Sequence, residues 1–320
     1  MKVTIVGAGI LGTSLGVLLH KAGYQIVAVC SRHMRNAQLA AGTIGQGQVI
    51  GDPGLAAMGA DLVLLCVPDR AIPSVSIQVA SGGALRRGAV VAHCAGGLPA
   101  RVLAGVTAAG AHRGALHPLQ SFADVDTALR MLRDSFFFLE GDAEAVEVLR
   151  SLVIAIDGRP VPLDGTQKSV YHAGACAASN FVVALAEYAR NLLIKAGVPP
   201  DVALPALLPL IEGTVANLKE VGLPDALTGP IARGDIGTVR NHIRSLRNLP
   251  GNTVRLYREL GRRTVQVAVR KGTLSRERAD AMLEILAEGE YPMPEEGPPG
   301  DEPPGGNGNG KGGLPEGFRR

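Results

Sequence analysis

The stretch Val3-Thr4-Ile5-Val6-Gly7-Ala8-Gly9-Ile10-Leu11-Gly12 decides the fold. A short β-favouring run enters Gly-x-Gly-x-x-Gly, and the residues that follow, Leu11 to Lys21, are apolar at helical spacing. In a strand–turn–helix of this kind Gly7 permits the tight turn, Gly9 lets the backbone approach an anion, and Gly12 lets helix and strand pack closely. The positive end of the helix then faces the anion with unpaired N–H groups. Gly7, Ala8, Gly9, Ile10, Leu11 and Gly12 are therefore the expected cradle for the pyrophosphate of a dinucleotide.

Working outward, apolar runs at Val3–Val6, Ile26–Cys30, Leu62–Val67, Ala89–His93, Arg113–His117 and Phe136–Glu140 read as strands. Helical stretches such as Leu11–Lys21 and Ala143–Ile156 lie between them. Such alternation gives an α/β fold with a doubly wound, mostly parallel sheet, and continuous apolar strands fit burial on both faces. After Leu163 the pattern is helical with Gly and Pro punctuation, so a domain boundary is expected near residue 165. Residues 166–289 form an all-α domain in this reading. From Glu290 to Arg320 there are 7 Pro and 9 Gly in 31 residues, a composition that cannot offset its ordering entropy, so the tail reads as disordered.

The whole chain has 320 residues, enough for about two domains. Only 3% of residues are aromatic and none is Trp, which argues against a stacking platform for single-stranded nucleic acid. A net charge of +3 is too small for a nucleic-acid footprint. Cys30, Cys66, Cys94 and Cys176 form no Cys-x-x-Cys pair, so no metal site is expected and a reducing cytoplasm is the natural setting. No uninterrupted apolar stretch approaches membrane-spanning length, so no membrane partner is expected.

The end of the second strand selects the dinucleotide. A carboxylate there would hold the ribose hydroxyls of NAD, but the chain reads Val29-Cys30-Ser31-Arg32-His33. Ser31 and Arg32 suit a 2′-phosphate, so NADP(H) is the expected cofactor. Val67-Pro68 and His93-Cys94-Ala95-Gly96-Gly97 end two further strands on the same side, which makes Val67, Pro68 and Cys94 cofactor contacts in this reading.

Several segments together carry a resemblance: His93-Cys94-Ala95-Gly96, His117-Pro118-Leu119-Gln120-Ser121-Phe122, Tyr171-His172-Ala173 through Ser179-Asn180-Phe181, and Leu227-Thr228-Gly229-Pro230-Ile231-Ala232-Arg233-Gly234-Asp235. Over residues 1–288 the chain resembles an uncharacterised bacterial family that joins a Rossmann-like NADP-binding domain to a helical domain of unknown function. Its wider relatives are pyrroline-5-carboxylate reductases, ketopantoate reductases, prephenate dehydrogenases and 6-phosphogluconate-type dehydrogenases. The resemblance implies a helical domain like the C-terminal domain of the last group, NADP-linked oxidoreduction in an interdomain cleft, and a homodimer formed through the helical domain.

Lys168 and His172 stand four residues apart at the start of the helical region, on one stripe with Ala175 and Ser179 and flanked by Asn180. Relatives carry a catalytic Lys on a similar helix with Asn four positions later; Lys168 matches that Lys, while His172 replaces the Asn. Either can give a proton to a carbonyl or imine, or else pack between the domains. His117-Pro118 resembles the His-Pro pair of prephenate dehydrogenases beside their substrate. The expected catalytic residues are thus His172, Lys168 and His117. Gln120, Asn180, Thr228, Gly229 and Arg233 are expected to bind substrate, Arg233 by gripping a carboxylate. These residues point to an NADPH-dependent reductase of a small carboxylate-bearing 2-oxo acid or imine. Dehydrogenation of a larger ring acid and a non-catalytic NADP-binding sensor are the alternatives.

Overall fold

A computed structural model describes residues 1–287 except Gly82, Ala84, Pro250 and Gly251, so the expected tail lies outside the described residues. The sheet region runs β1 (Lys2–Val6), α1 (Ile10–Lys21), β2 (Gln25–Cys30), α2 (Met34–Ile44), β3 (Gln48–Ile50), α3 (Pro53–Ala56), β4 (Leu62–Leu65), α4 (Ile72–Ser81), β5 (Val90–His93), β6 (His112–Pro118), α5 (Val125–Met131), β7 (Phe136–Gly141), α6 (Ala143–Ala155) and β8 (Arg159–Pro162). Every described element beyond is helical: α7 (Lys168–Ala178), α8 (Asn180–Lys195), α9 (Pro200–Val221), α10 (Ile236–Leu246), α11 (Thr253–Lys271) and α12 (Arg276–Ala287).

The eight strands form one sheet in the order β3-β2-β1-β4-β5-β6-β7-β8. All neighbours are parallel except β6 and β7, where the chain reverses. The two strands that the sequence does not announce are the two edges. β3 is only three residues long between Gly47 and Gly51, and β8 carries Pro160 and Pro162. Proline lacks the N–H that a central strand needs and is tolerated at an edge.

The central strands alternate between two apolar layers. On β4, Leu62 and Leu64 join Val3, Ile5, Leu15 and Leu149 on one face, while Val63 and Leu65 join Val91, Ile72 and Val79 on the other. This double burial is why the strands read as unbroken apolar runs.

Two compact units divide the chain. The first is Met1–Leu204, so α7 and α8 belong with the sheet; the second starts at Pro205. The second unit has its own core, with Val239, Ile243, Val265 and Met282 at its centre.

By length and composition, the stretches Gly165–Lys195 and Pro200–Val221 are apolar enough to cross a membrane. In the first, the helix breaks at Ser179, and its leading half holds a buried lysine against the sheet domain, as shown below. Val170, Phe181, Val183 and Leu210 stand more than 60% exposed on this region.

Candidate active site

The glycine turn has the geometry that its spacing announces. Gly7 has φ +114°, and a Cβ there would lie 2.3 Å from the carbonyl oxygen of Cys66. A Cβ on Gly12 would lie 2.0 Å from the Gly7 oxygen, so α1 passes the turn at a distance only glycine allows. Around Gly9 no atom lies within 4 Å of a built Cβ, which leaves the start of α1 open. Gly9 caps that helix with no side-chain hydrogen bond, and its first turn holds no acid. The leading N–H groups of α1 are therefore free for an anion.

This turn borders a cleft of about 620 Å³. Its lining includes Gly7–Leu11, Ser31, Arg32, Val67 and Pro68, but no carboxylate. The nearest acid in sequence, Asp52, is turned to cap α3 and accepts from the N–H of Leu55 at 2.8 Å. Cys94 is not in this lining; its sulfur lies 3.6 Å from that of Cys66, which is. An open cradle at Gly9, a helix start without its own cap, and Ser31 with an exposed Arg32 fit a dinucleotide carrying an extra phosphate.

A second cavity of about 880 Å³ lies against the end of β6 and the helix α7. His117, Tyr171, His172, Gln120 and Asn180 all line it. The Tyr171 hydroxyl is 2.6 Å from Nδ1 of His117, and its ring packs against Phe138 at 4.5 Å between centroids. Burial lowers the His117 pKa to about 4, with the charge of Lys168 adding to the effect, so the ring is neutral near pH 7. Burial likewise raises the Tyr171 hydroxyl to about 12, so that it keeps its proton.

The turn Cys94–Ala100 runs beneath these rings and is held by buried charges. Lys168 is 1% exposed and donates from Nζ to the Ala95 carbonyl at 3.2 Å. Burial pulls its pKa down from 10.5, and Glu140 opposes that shift. Glu140, on β7, accepts from the N–H of Ala100, and its own carboxyl is raised by burial. His93 is fully buried; its Nδ1 accepts from the N–H of Ala95 at 3.2 Å, and desolvation lowers its pKa to about 4. Lys168 thus braces the turn and is not among the residues that line the cavity.

Of the residues expected from the sequence, His117, His172, Gln120 and Asn180 line this one cavity. Thr228, Gly229 and Arg233 belong to the second unit, in the turn before α10, where Asp235 caps the helix by accepting from the Thr238 N–H at 3.0 Å. Tyr171, His93, Glu140 and Gly96 escape sequence reasoning. Tyr171 and His172 are adjacent in α7, and both line the same cavity. Among the described residues no group of three or more His, Cys, Asp or Glu is placed to hold a metal.

Two family models match the chain. Residues 1–118 match a Rossmann-like domain, and residues 135–264 match the domain of unknown function DUF2520. The chain joins these two domains. Among solved structures, TM1727 from Thermotoga maritima is 28% identical, with a TM-score of 0.68 over 85% of this chain and 100% of its own. BF3122 from Bacteroides fragilis, provisionally named an NADP oxidoreductase, is 29% identical, with a TM-score of 0.64 over 82% of this chain and 97% of its own. The pyrroline carboxylate reductase of Plasmodium falciparum, solved with NADP bound, shares the fold at 13% identity and a TM-score of 0.52, over 90% of this chain and 98% of its own. No curated protein matches the chain in sequence.

Proposed function

We propose that this Rossmann-like–DUF2520 protein is an NADP(H)-dependent reductase of a small carboxylate-bearing 2-oxo acid or imine. The observation that carries the reading is the Tyr171–His117 contact of 2.6 Å on the wall of a substrate-sized cavity. The glycine cradle stands at the carboxyl ends of the same sheet, where α/β proteins bind their ligands. Resemblance to NADP-named structures supports the same class of cofactor.

Gly7–Gly12 would hold the pyrophosphate, and Ser31 with Arg32 the 2′-phosphate. When bound, the reduced nicotinamide supplies a hydride. Tyr171 then gives its hydroxyl proton to the oxygen or nitrogen of the reacting double bond. His117 faces the phenol oxygen and limits the charge that builds there. Gln120 and Asn180 orient the substrate in the cavity. Thr228, Gly229 and Arg233 stay the proposed carboxylate contacts on the chemistry of their residues alone. The cavity's 880 Å³ also admits a larger ring acid, the second reading.

We further propose a homodimer that covers the apolar side chains of α7 and α8, including Val170, Phe181 and Val183, because so much exposed apolar surface on one region is rare in a monomer. Light scattering on Phe181→Glu checks this, with a shift from dimer to monomer expected. Free thiols 3.6 Å apart at Cys66 and Cys94 favour a cytoplasmic setting.

Incubation with NADPH and a panel of oxo acids, cyclic imines and ring acids tests the main reading. Cofactor oxidation with a small oxo acid or imine is the expected result. Tight NADPH binding with no oxidation across the panel would leave the sensor reading in its place.

A further inference from the structure

We propose that the substrate carries an uncharged apolar arm next to the reacting carbon, a branched aliphatic or phenyl group, and that this arm lies against Phe138, Leu119 and Met131. It rests on the reading of Tyr171 as the proton donor of a reductase, and it names the part of the substrate that the wall beside that hydroxyl selects.

Strand register builds this wall. β6 and β7 are antiparallel with His117 opposite Phe138, and the Leu119 N–H donates to the Phe136 carbonyl at 2.8 Å, one step beyond. Opposed residues share a face, and a strand alternates faces residue by residue. Phe137 and Leu139 therefore enter the buried core, while Phe136 and Phe138 stand on the other face with His117 and Leu119. The Tyr171 ring rests on Phe138 at 4.5 Å between centroids, so its hydroxyl sits where polar His117 and apolar Phe138 meet. Leu119 and Met131 extend the apolar side: both line the cavity, and they are 41% and 37% exposed. Large apolar side chains left wet inside a cavity gain free energy when a ligand covers them.

The chemistry of the lining sets the charge of the arm. Among the described residues, the lining holds no Lys, Arg, Asp or Glu. His117 is neutral near pH 7, because burial lowers its pKa to about 4. A carboxylate or ammonium on the arm would lose its water here and gain no ionic partner. Farther along the same face, Phe136 lies outside the lining beneath Arg159, whose guanidinium pairs with Asp134 at 3.4 Å. Met131 is unbranched and adaptable, so the wall can follow a branched chain or a ring. The substrate's own carboxylate stays with the contacts proposed above, outside this wall.

Two measurements test this on the full chain. With NADPH, kcat/KM for 4-methyl-2-oxopentanoate or phenylpyruvate should exceed that for pyruvate at least tenfold, and 2-oxoglutarate should be the poorest of the four. Tenfold is about 1.4 kcal/mol, less than two fully buried methylene groups supply. Leu119→Asp should erase most of that preference, and Met131→Ser serves if the first variant does not fold. A preference for pyruvate or 2-oxoglutarate, or variants that keep the parental preference, would overturn the apolar arm. The second measurement needs no turnover. Carbon-13 methyl NMR of the methionines, with NADP+ present, should show Met131 shifted by 4-methylpentanoate and unmoved by glutarate at the same concentration. A Met131 unmoved by 4-methylpentanoate, or moved equally by glutarate, would overturn the arm. If neither an oxo acid nor a cyclic imine is reduced, the reductase reading fails, and the Met131 shift still judges the wall.

Discussion

Nδ1 of His117 and the hydroxyl of Tyr171, 54 residues apart in the chain, stand 2.6 Å from each other. One comes from the carboxyl end of a strand and the other from the first turn of a helix beyond the last strand. Burial moves their proton affinities apart, to about 4 and about 12, so near pH 7 the pair holds a neutral imidazole and an intact phenol. The intact phenol is the proposed proton donor, and the neutral imidazole faces its oxygen.

Arg32→Ala should cut the preference for NADPH over NADH by about tenfold or more, because one charge-assisted phosphate contact is worth roughly 1.4 kcal/mol or more. Calorimetric titration of both cofactors reads this directly. Equal losses for the two cofactors would mean that Arg32 contacts something they share.

Gly12→Ala should weaken binding of either cofactor and lower the melting temperature, since its Cβ would sit 2.0 Å from the Gly7 oxygen and push α1 off the strand. Gly9→Ala should leave the melting temperature almost unchanged, as nothing lies within 4 Å, while still obstructing the phosphate. Thermal melts with and without NADPH separate the two effects.

Stability should fall as pH drops from about 6.5 toward 4. His93 and His117 are both held near 4 in the folded chain against 6.5 for an ordinary histidine. Within that window the unfolded chain binds more protons, so acid favours unfolding, and the contribution is fully present above about 6.5. Glu140, raised by burial, acts in the opposite sense, but it is one group against two. Melting temperatures across this range check the sign, and His93→Gln should flatten the slope.

The glycine turn, the doubly apolar strands and the missing carboxylate after Val29 were all readable, because each follows from local chemistry. The edge strands were not, since β3 is too short to show a period and β8 is half proline. At the candidate site, His117 and His172 stood out as titratable residues near strand and helix ends. Tyr171 did not, because a tyrosine in an apolar helix reads as core until its partner is known. Lys168 carried the right spacing, yet its side chain turns inward to the Ala95 carbonyl, an acceptor 73 residues earlier that no helical wheel reveals.

Tyr171→Phe tests the account most directly, measured as turnover of NADPH with the substrate the panel identifies, alongside NADPH affinity. The phenylalanine keeps the packing on Phe138 and removes only the hydroxyl. Turnover should fall by about 10²-fold or more, the usual worth of a general acid, while NADPH affinity and melting temperature stay near those of the parent. Full turnover in Tyr171→Phe would contradict the account.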